Sequence, residues 1–133
     1  MKQDGYELDR PRRILVLEAL RELCSRRGWN LQAAHVRSSH VHLVVSAQVT
    51  PERVLRDVKV HASRILDRAG IDTPARRRWT HHGSTRYLWE REQVGVAVHY
   101  VVREQGEPMA VWEGSFEPCT RLPLAYGRGL PRT

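Results

Sequence analysis

Cysteine is nearly absent from this chain: Cys24 and Cys119 are the two in 133 residues. Two cysteines build neither a disulfide framework nor a CxxC site, so a reducing cytoplasm is the expected compartment. Apolar runs stop well short of the ~20 residues of a membrane span. Met1–Asp9 is too polar for a signal peptide, so no membrane association is expected. Internal repeats, low-complexity segments and interdomain linkers are missing too, which leaves one domain with one core. Acidic residues are outnumbered: 15 Asp and Glu face 22 Lys and Arg, a net charge of +7. That imbalance points to a polyanionic partner, with nucleic acid ahead of a membrane surface. A hydrophobic content of 41% is that of a folded protein.

Periodicity supplies the elements. Ile14, Leu17, Leu20, Leu23 and Cys24 recur at helical spacing between Arg10 and Arg27, and Gly28 supplies the stop. Trp29–Arg37 reads as a strand, Ser38-Ser39 as a turn, and His40–Ala47 as the antiparallel return strand. On that second strand Val41, Leu43, Val45 and Ala47 share one face, and His40, His42, Val44 and Ser46 the other. Thr50-Pro51 starts a second helix that ends at Gly70, with Val54, Val58, Ala62 and Ile65 as its stripe. A loop follows over Ile71–Arg78, then a strand at Ser84–Trp89. A third helix spans roughly Glu92–Gln105, with Val94, Ala97, Val98, Val101 and Val102 toward the core. Residues 1–109 therefore form the domain, and 110–133, with Pro123, Gly127, Gly129 and Pro131, read as a loose C-terminal tail.

This order predicts an α+β sandwich of the ferredoxin-like kind, an antiparallel sheet with its helices packed on one face. That pattern calls for one more strand before the first helix. Gly5–Leu8 is short, so the first strand is short or missing, or the tail around Met109–Phe116 fills its place.

The chemistry starts at His40-Val41-His42. Residues i and i+2 of a strand point to one face, so both imidazoles project side by side, close enough to share one cation. On the third helix Tyr100 and Glu104 are i and i+4 neighbours on one flank. A phenol is a poor nucleophile at neutral pH. A divalent cation held by two imidazoles and one carboxylate or carboxamide polarises a phosphate and offsets the charge that builds on it. Tyr100 would then attack phosphorus, expel a deoxyribose 3′-oxygen and keep the bond energy in a phosphotyrosine for rejoining.

HVHLVV at His40–Val45, WTHHGSTRYLW at Trp79–Trp89 and VAVHYVVREQGEP at Val96–Pro108 together resemble the HUH single-tyrosine transposases. The resemblance is to the insertion-sequence transposase domain and its REP-associated tyrosine transposase relatives, over roughly Arg12–Met109. It implies a ferredoxin-like domain that cleaves and rejoins single-stranded, often hairpin-forming DNA through a 5′-phosphotyrosine. It also implies a Mg²⁺ or Mn²⁺ ion and a homodimer. Residue by residue, His40 and His42 match the metal pair and Tyr100 the nucleophile. The family's third ligand, four residues after the tyrosine, falls on Glu104. Gln105 has the side chain some members use and is the alternative, although it sits about 140° from Tyr100 on a continuous helix. For DNA contacts, Arg76, Arg77, Arg78, Trp79 and Arg86 combine cations with an aromatic, a mixture suited to a single strand. A competing expectation is a nucleic-acid-binding module that keeps the fold without catalysis.

Overall fold

A side-chain cap at one end and a left-handed glycine at the other delimit each of the first two helices. The Asp9 carboxylate accepts the Arg12 backbone N–H at the start of α1 (Arg10–Arg27), and Gly28 ends it at φ +72°. Thr50 and Gly70, at φ +68°, do the same for α2 (Pro51–Ala69). The computed structural model describes residues 7–72, 78–79, 84–114 and 124–129, with residues 84 and 124–129 described by backbone alone. The remaining elements are β1 (Asn30–Val36), β2 (Val41–Ser46), β3 (Ser84–Leu88), α3 (Arg91–Arg103), β4 (Ala110–Glu113) and β5 (Leu124–Gly129). All five strands form one antiparallel sheet in the order β3-β5-β2-β1-β4.

Strand alternation splits the core in two. Leu31, Ala34, Val36, Val41, Leu43 and Val45 turn toward α1 and α2, where they meet Val16, Leu20, Leu23, Val54, Val58 and Leu66. Ala33 and Val44 turn the other way and pack with Leu88 against Val94, Ala97 and Val101 of α3. The fold is thus the expected ferredoxin-like α+β sandwich, with α1 and α2 on one face. The third helix departs from the expected single-sided packing and covers the opposite face. Every residue of β2 is buried, and an uncovered second face would leave Val44 in water. The core stripe of α1 is also rotated from the predicted one: Val16 and Ala19 are buried, while Ile14 is exposed.

The missing first strand has a substitute. Residues 7–9 form no strand, although Leu8 is buried and its N–H donates to the Ser38 carbonyl at 2.8 Å. The tail expected to be loose contributes β4 and β5. The stretch around Met109–Phe116 yields β4, which pairs with β1 at the sheet edge and not in the central gap. The gap is filled by β5, which pairs with β2 from Val41↔Gly129 to Ser46↔Leu124 and with β3 from Ser84↔Arg128 to Leu88↔Leu124. It lies antiparallel to both neighbours, so the backbone groups on the outer edge of β2 gain partners.

His61 on α2 is buried, and its Nε2 lies 3.9 Å from Glu22 of α1. Burial is the main cause that holds its pKa below the ordinary 6.5; Glu22 opposes the shift, and Arg26, Arg64 and Arg68 add to it. The folded ring stays neutral, whereas an unfolded one takes up a proton from about pH 6.5 downward. Its contribution to stability is therefore present above pH ~6.5 and lost as pH falls through the lower folded value.

Two outcomes follow from the fold. A chain ending at Pro123 leaves β2 and β3 without their shared partner, and its cooperative circular-dichroism melt should disappear; an unchanged melting temperature would contradict the placement of β5. The melting temperature of the full chain should be level above pH 7 and decline from pH 6.5 to 5, with a shallower decline in His61→Gln.

Candidate active site

The two-residue turn at Ser38-Ser39 closes the β1–β2 hairpin, with the Arg37 N–H donating to the His40 carbonyl at 2.8 Å. His40 stands just before β2, partly exposed, with its Nδ1 2.8 Å from the Ser39 hydroxyl. His42 is the second residue of β2 and is buried. The i, i+2 spacing works as expected: the two imidazoles lie parallel, with centroids 5.8 Å apart and planes 5° from one another.

Their face of the sheet is the one α3 covers, and His35 holds that helix in place. His35 is the register partner of His42 on β1 and is completely buried. Its Nδ1 lies 3.0 Å from the Val101 carbonyl in the last turns of α3, and its Nε2 accepts the Met109 backbone N–H at 3.0 Å. Because Nε2 is an acceptor, Nδ1 carries the proton and donates to Val101. Burial, the first cause, lowers its pKa and agrees with this neutral tautomer. Both nitrogens are used, so His35 is a structural strut. Arg37 supports the same region by donating to the Glu107 carbonyl at 2.9 Å, beside the turn at Gly106, whose φ is +79°.

With α3 so placed, Tyr100 meets His42 edge to face, at 6.4 Å between centroids and 87° between planes. Tyr100 remains 38% exposed, so one side of the ring is in contact with the histidine and the other is open to a substrate. The helix stops at Arg103, and Glu104 is its exposed cap, with its N–H donating to the Tyr100 carbonyl at 3.1 Å. Gln105 turns back, and its Nε2 donates to the same carbonyl at 3.2 Å. The angular separation expected for Gln105 presumed a helix that ran on through it; the end at Arg103 brings its amide to the last turn instead. Among the described residues no three His, Cys, Asp or Glu side chains converge closely enough to hold a metal ion. Glu104 therefore does not join His40 and His42 as a preassembled third ligand.

Residues 8–102 match a protein-family model described as "Transposase IS200 like". The chain belongs to the IS200-like transposase family. The match spans 95 of the 133 residues, from just before α1 to the end of α3. Comparison with curated proteins and with solved structures returned no match. The family is one of DNA-cleaving enzymes, and the transposase places His40, His42 and Tyr100 together at one end of its central hairpin. β4 and β5 lie outside the matched residues.

The residues expected to contact DNA separate into different roles. Arg78 is buried, and its guanidinium pairs with Asp67 at 2.8 Å and Asp72 at 2.9 Å. Asp72 also takes Arg12 from α1, so this network fastens the end of the loop to both helices. Trp79 donates its indole N–H to the Ser63 hydroxyl at 2.7 Å and packs against the α1–α2 core. Arg78 has almost no surface left for a strand, whereas Trp79 stays partly exposed. Arg76 and Arg77 fall outside the described residues. Arg86 is exposed on β3. His99 is exposed on α3. Sequence reasoning missed His35 as a strut, because its partners are backbone groups 66 and 74 residues away. It also passed over Trp89, which is 71% exposed.

His35→Ala leaves the Val101 carbonyl and the Met109 N–H without their partner. It should lower stability by ~3 kcal/mol, within the usual range for a buried polar pair plus a cavity. A urea melt would show a lower midpoint at unchanged slope.

Proposed function

We propose that this transposase cuts and rejoins single-stranded, hairpin-forming DNA through Tyr100, with a divalent cation held at His40 and His42. The observation that carries the reading is the contact of the Tyr100 ring with His42 in a protein of a DNA-cleaving family. The Tyr100 Oη attacks phosphorus, the bond from phosphorus to the 3′-oxygen breaks, and the leaving strand takes a proton as its 3′-hydroxyl. A 5′-phosphotyrosine results, and attack by a 3′-hydroxyl reverses the step and joins a new strand without a nucleotide cofactor.

The histidine pair fits a metal ion in separation. An imidazole centroid lies roughly 3.2 Å from an ion bound at ~2.1 Å, so two rings on one ion stand at most about 6.4 Å apart. The 5.8 Å observed is inside that limit. Stacked, parallel rings keep their nitrogen lone pairs in separate planes, so binding one ion requires one ring to turn about its soft terminal torsion. His40, the more exposed of the two, has the room to do so. Bound there, Mg²⁺ or Mn²⁺ would polarise the scissile phosphate and offset its developing charge. The exposed Glu104 carboxylate is the proposed third ligand, and the Gln105 carboxamide the alternative. A homodimer belongs to the same reading.

A binding module without catalysis is the second reading, and the net charge of +7 serves it equally. A denaturing gel with labelled hairpin strands and Mn²⁺ separates the two. Wild type should form a covalent band, and Tyr100→Phe should lose it by at least about 10³-fold while still binding. EDTA and His42→Ala should likewise abolish cleavage and spare most binding. Shifted DNA with no covalent band from wild type would establish the binding module.

A further inference from the structure

Strand alternation gives the sheet face that carries His42 a charged margin. The Thr85 hydroxyl donates to the Glu52 carboxylate of α2 at 2.8 Å, so Thr85 belongs to the α1/α2 face. Leu88 is buried on the opposite face, with Val44 of β2 and Val94 and Ala97 of α3. Arg86, two residues before Leu88 on β3, shares that opposite face. The strand pairing agrees: residue 126 of β5 lies between Arg86 and Val44, as residue 124 lies between Leu88 and Ser46. Arg86 is exposed although Leu88 is covered, so the cover that α3 gives to β3 stops between them. One row further along, Arg128 of β5 is the register partner of His42 on one side and of Ser84 on the other. Positions paired across antiparallel strands stand on one face. Two arginine positions therefore lie on the His42 face, on the β3 side of the histidine pair.

We propose that this margin grips the backbone of the strand being cut, with Arg86 holding a phosphate a few nucleotides from the scissile one. The inference rests on the reading of Tyr100 as the nucleophile and adds the contact that positions its substrate. Single-stranded DNA is the fitting occupant for three reasons. Arg86 lies on the sheet face of His42, the residue that Tyr100 meets. A guanidinium can donate two parallel hydrogen bonds to one phosphate. The Arg128 position continues the positive charge from β3 toward the site, in a protein with a net charge of +7. Two strand spacings sideways and two residues along separate Arg86 from His42, about 12 Å between backbones. At that distance Arg86 is a positioning residue. At no less than about 3.4 Å per nucleotide, the gripped phosphate lies within about four nucleotides of the cut.

The test uses the full chain and labelled single-stranded hairpins that carry one neutral methylphosphonate linkage, walked along the strand. In a Tyr100→Phe background, where nothing is cut, anisotropy should reveal one linkage position that weakens binding about ten-fold. That position should fall within about four nucleotides of the cut made by the parent chain. Arg86→Gln should bind the unmodified strand about ten-fold more weakly and lose its sensitivity to that position. Its plot of log Kd against log salt should be shallower by about 0.7. Arg86→Lys, which keeps the charge, should keep the slope and recover part of the affinity. Arg64→Gln, exposed on α2 across the sheet, removes the same charge and should leave the position-specific loss in place. Because Arg86 is exposed, its variants should keep the parent melting temperature. In chains with Tyr100 intact, Arg86→Gln should raise KM about ten-fold and leave kcat within about two-fold. If Arg86→Gln keeps the position-specific loss, or matches Arg64→Gln in affinity and salt slope, the grip is overturned and a covalent band still leaves Tyr100 as the nucleophile. A sensitive position farther from the cut overturns it as well. A position-specific loss that Arg86→Gln removes, with no covalent band from wild type, would support the grip and remove the nucleophile.

Discussion

The two hydrogen bonds of His35 determine where the chemistry can occur. One imidazole, buried at the register position of His42, ties the Val101 carbonyl of α3 and the Met109 N–H to β1. The helix that carries Tyr100 is thereby held against the strand that carries His42. α3 touches the sheet through small and branched residues, Val94, Ala97 and Val101, which bring it close without fixing its register. Apolar contact is non-directional; the hydrogen bonds to His35 are directional and limit how far the helix can slide or turn. The neutral tautomer they need is the one burial favours, so packing and hydrogen bonding act in the same sense.

The sheet is completed from an unusual direction. The ferredoxin-like pattern places a strand between those here named β2 and β3, and this chain fills that place with its C-terminal strand. Antiparallel pairing with both neighbours satisfies the backbone of a strand whose side chains are already buried on both faces. The site thus depends on residues beyond the matched stretch 8–102, since β5 flanks the strand that holds His42.

Much of this architecture was legible in the sequence, and the reasons are local. Asp9, Thr50, Gly28 and Gly70 act within one turn of themselves, so α1 and α2 ended where expected. The alternation in His40–Val45 placed two imidazoles on one face, and helical spacing placed Val94, Ala97 and Val101 on another. β5 was not legible because LAYGRG has two glycines in six residues and little alternation. Arg78 and Trp79 looked like a cationic and aromatic surface, but both are used internally, by Asp67, Asp72 and Ser63. A buried arginine and an exposed one are the same letter until the fold places their partners.

The sequence by itself determined which residues could do the chemistry: the pair of histidines, the tyrosine, the caps and the charge. Their information lies in spacing, and spacing fixes direction within a single helix or strand. The tertiary structure alone decided which of them meet. It put α3 across the histidine face, ended that helix at Arg103 so that Glu104 caps it, and left Trp89 in water just before its first turn. Those outcomes depend on contacts between residues tens of positions apart, which no local periodicity records.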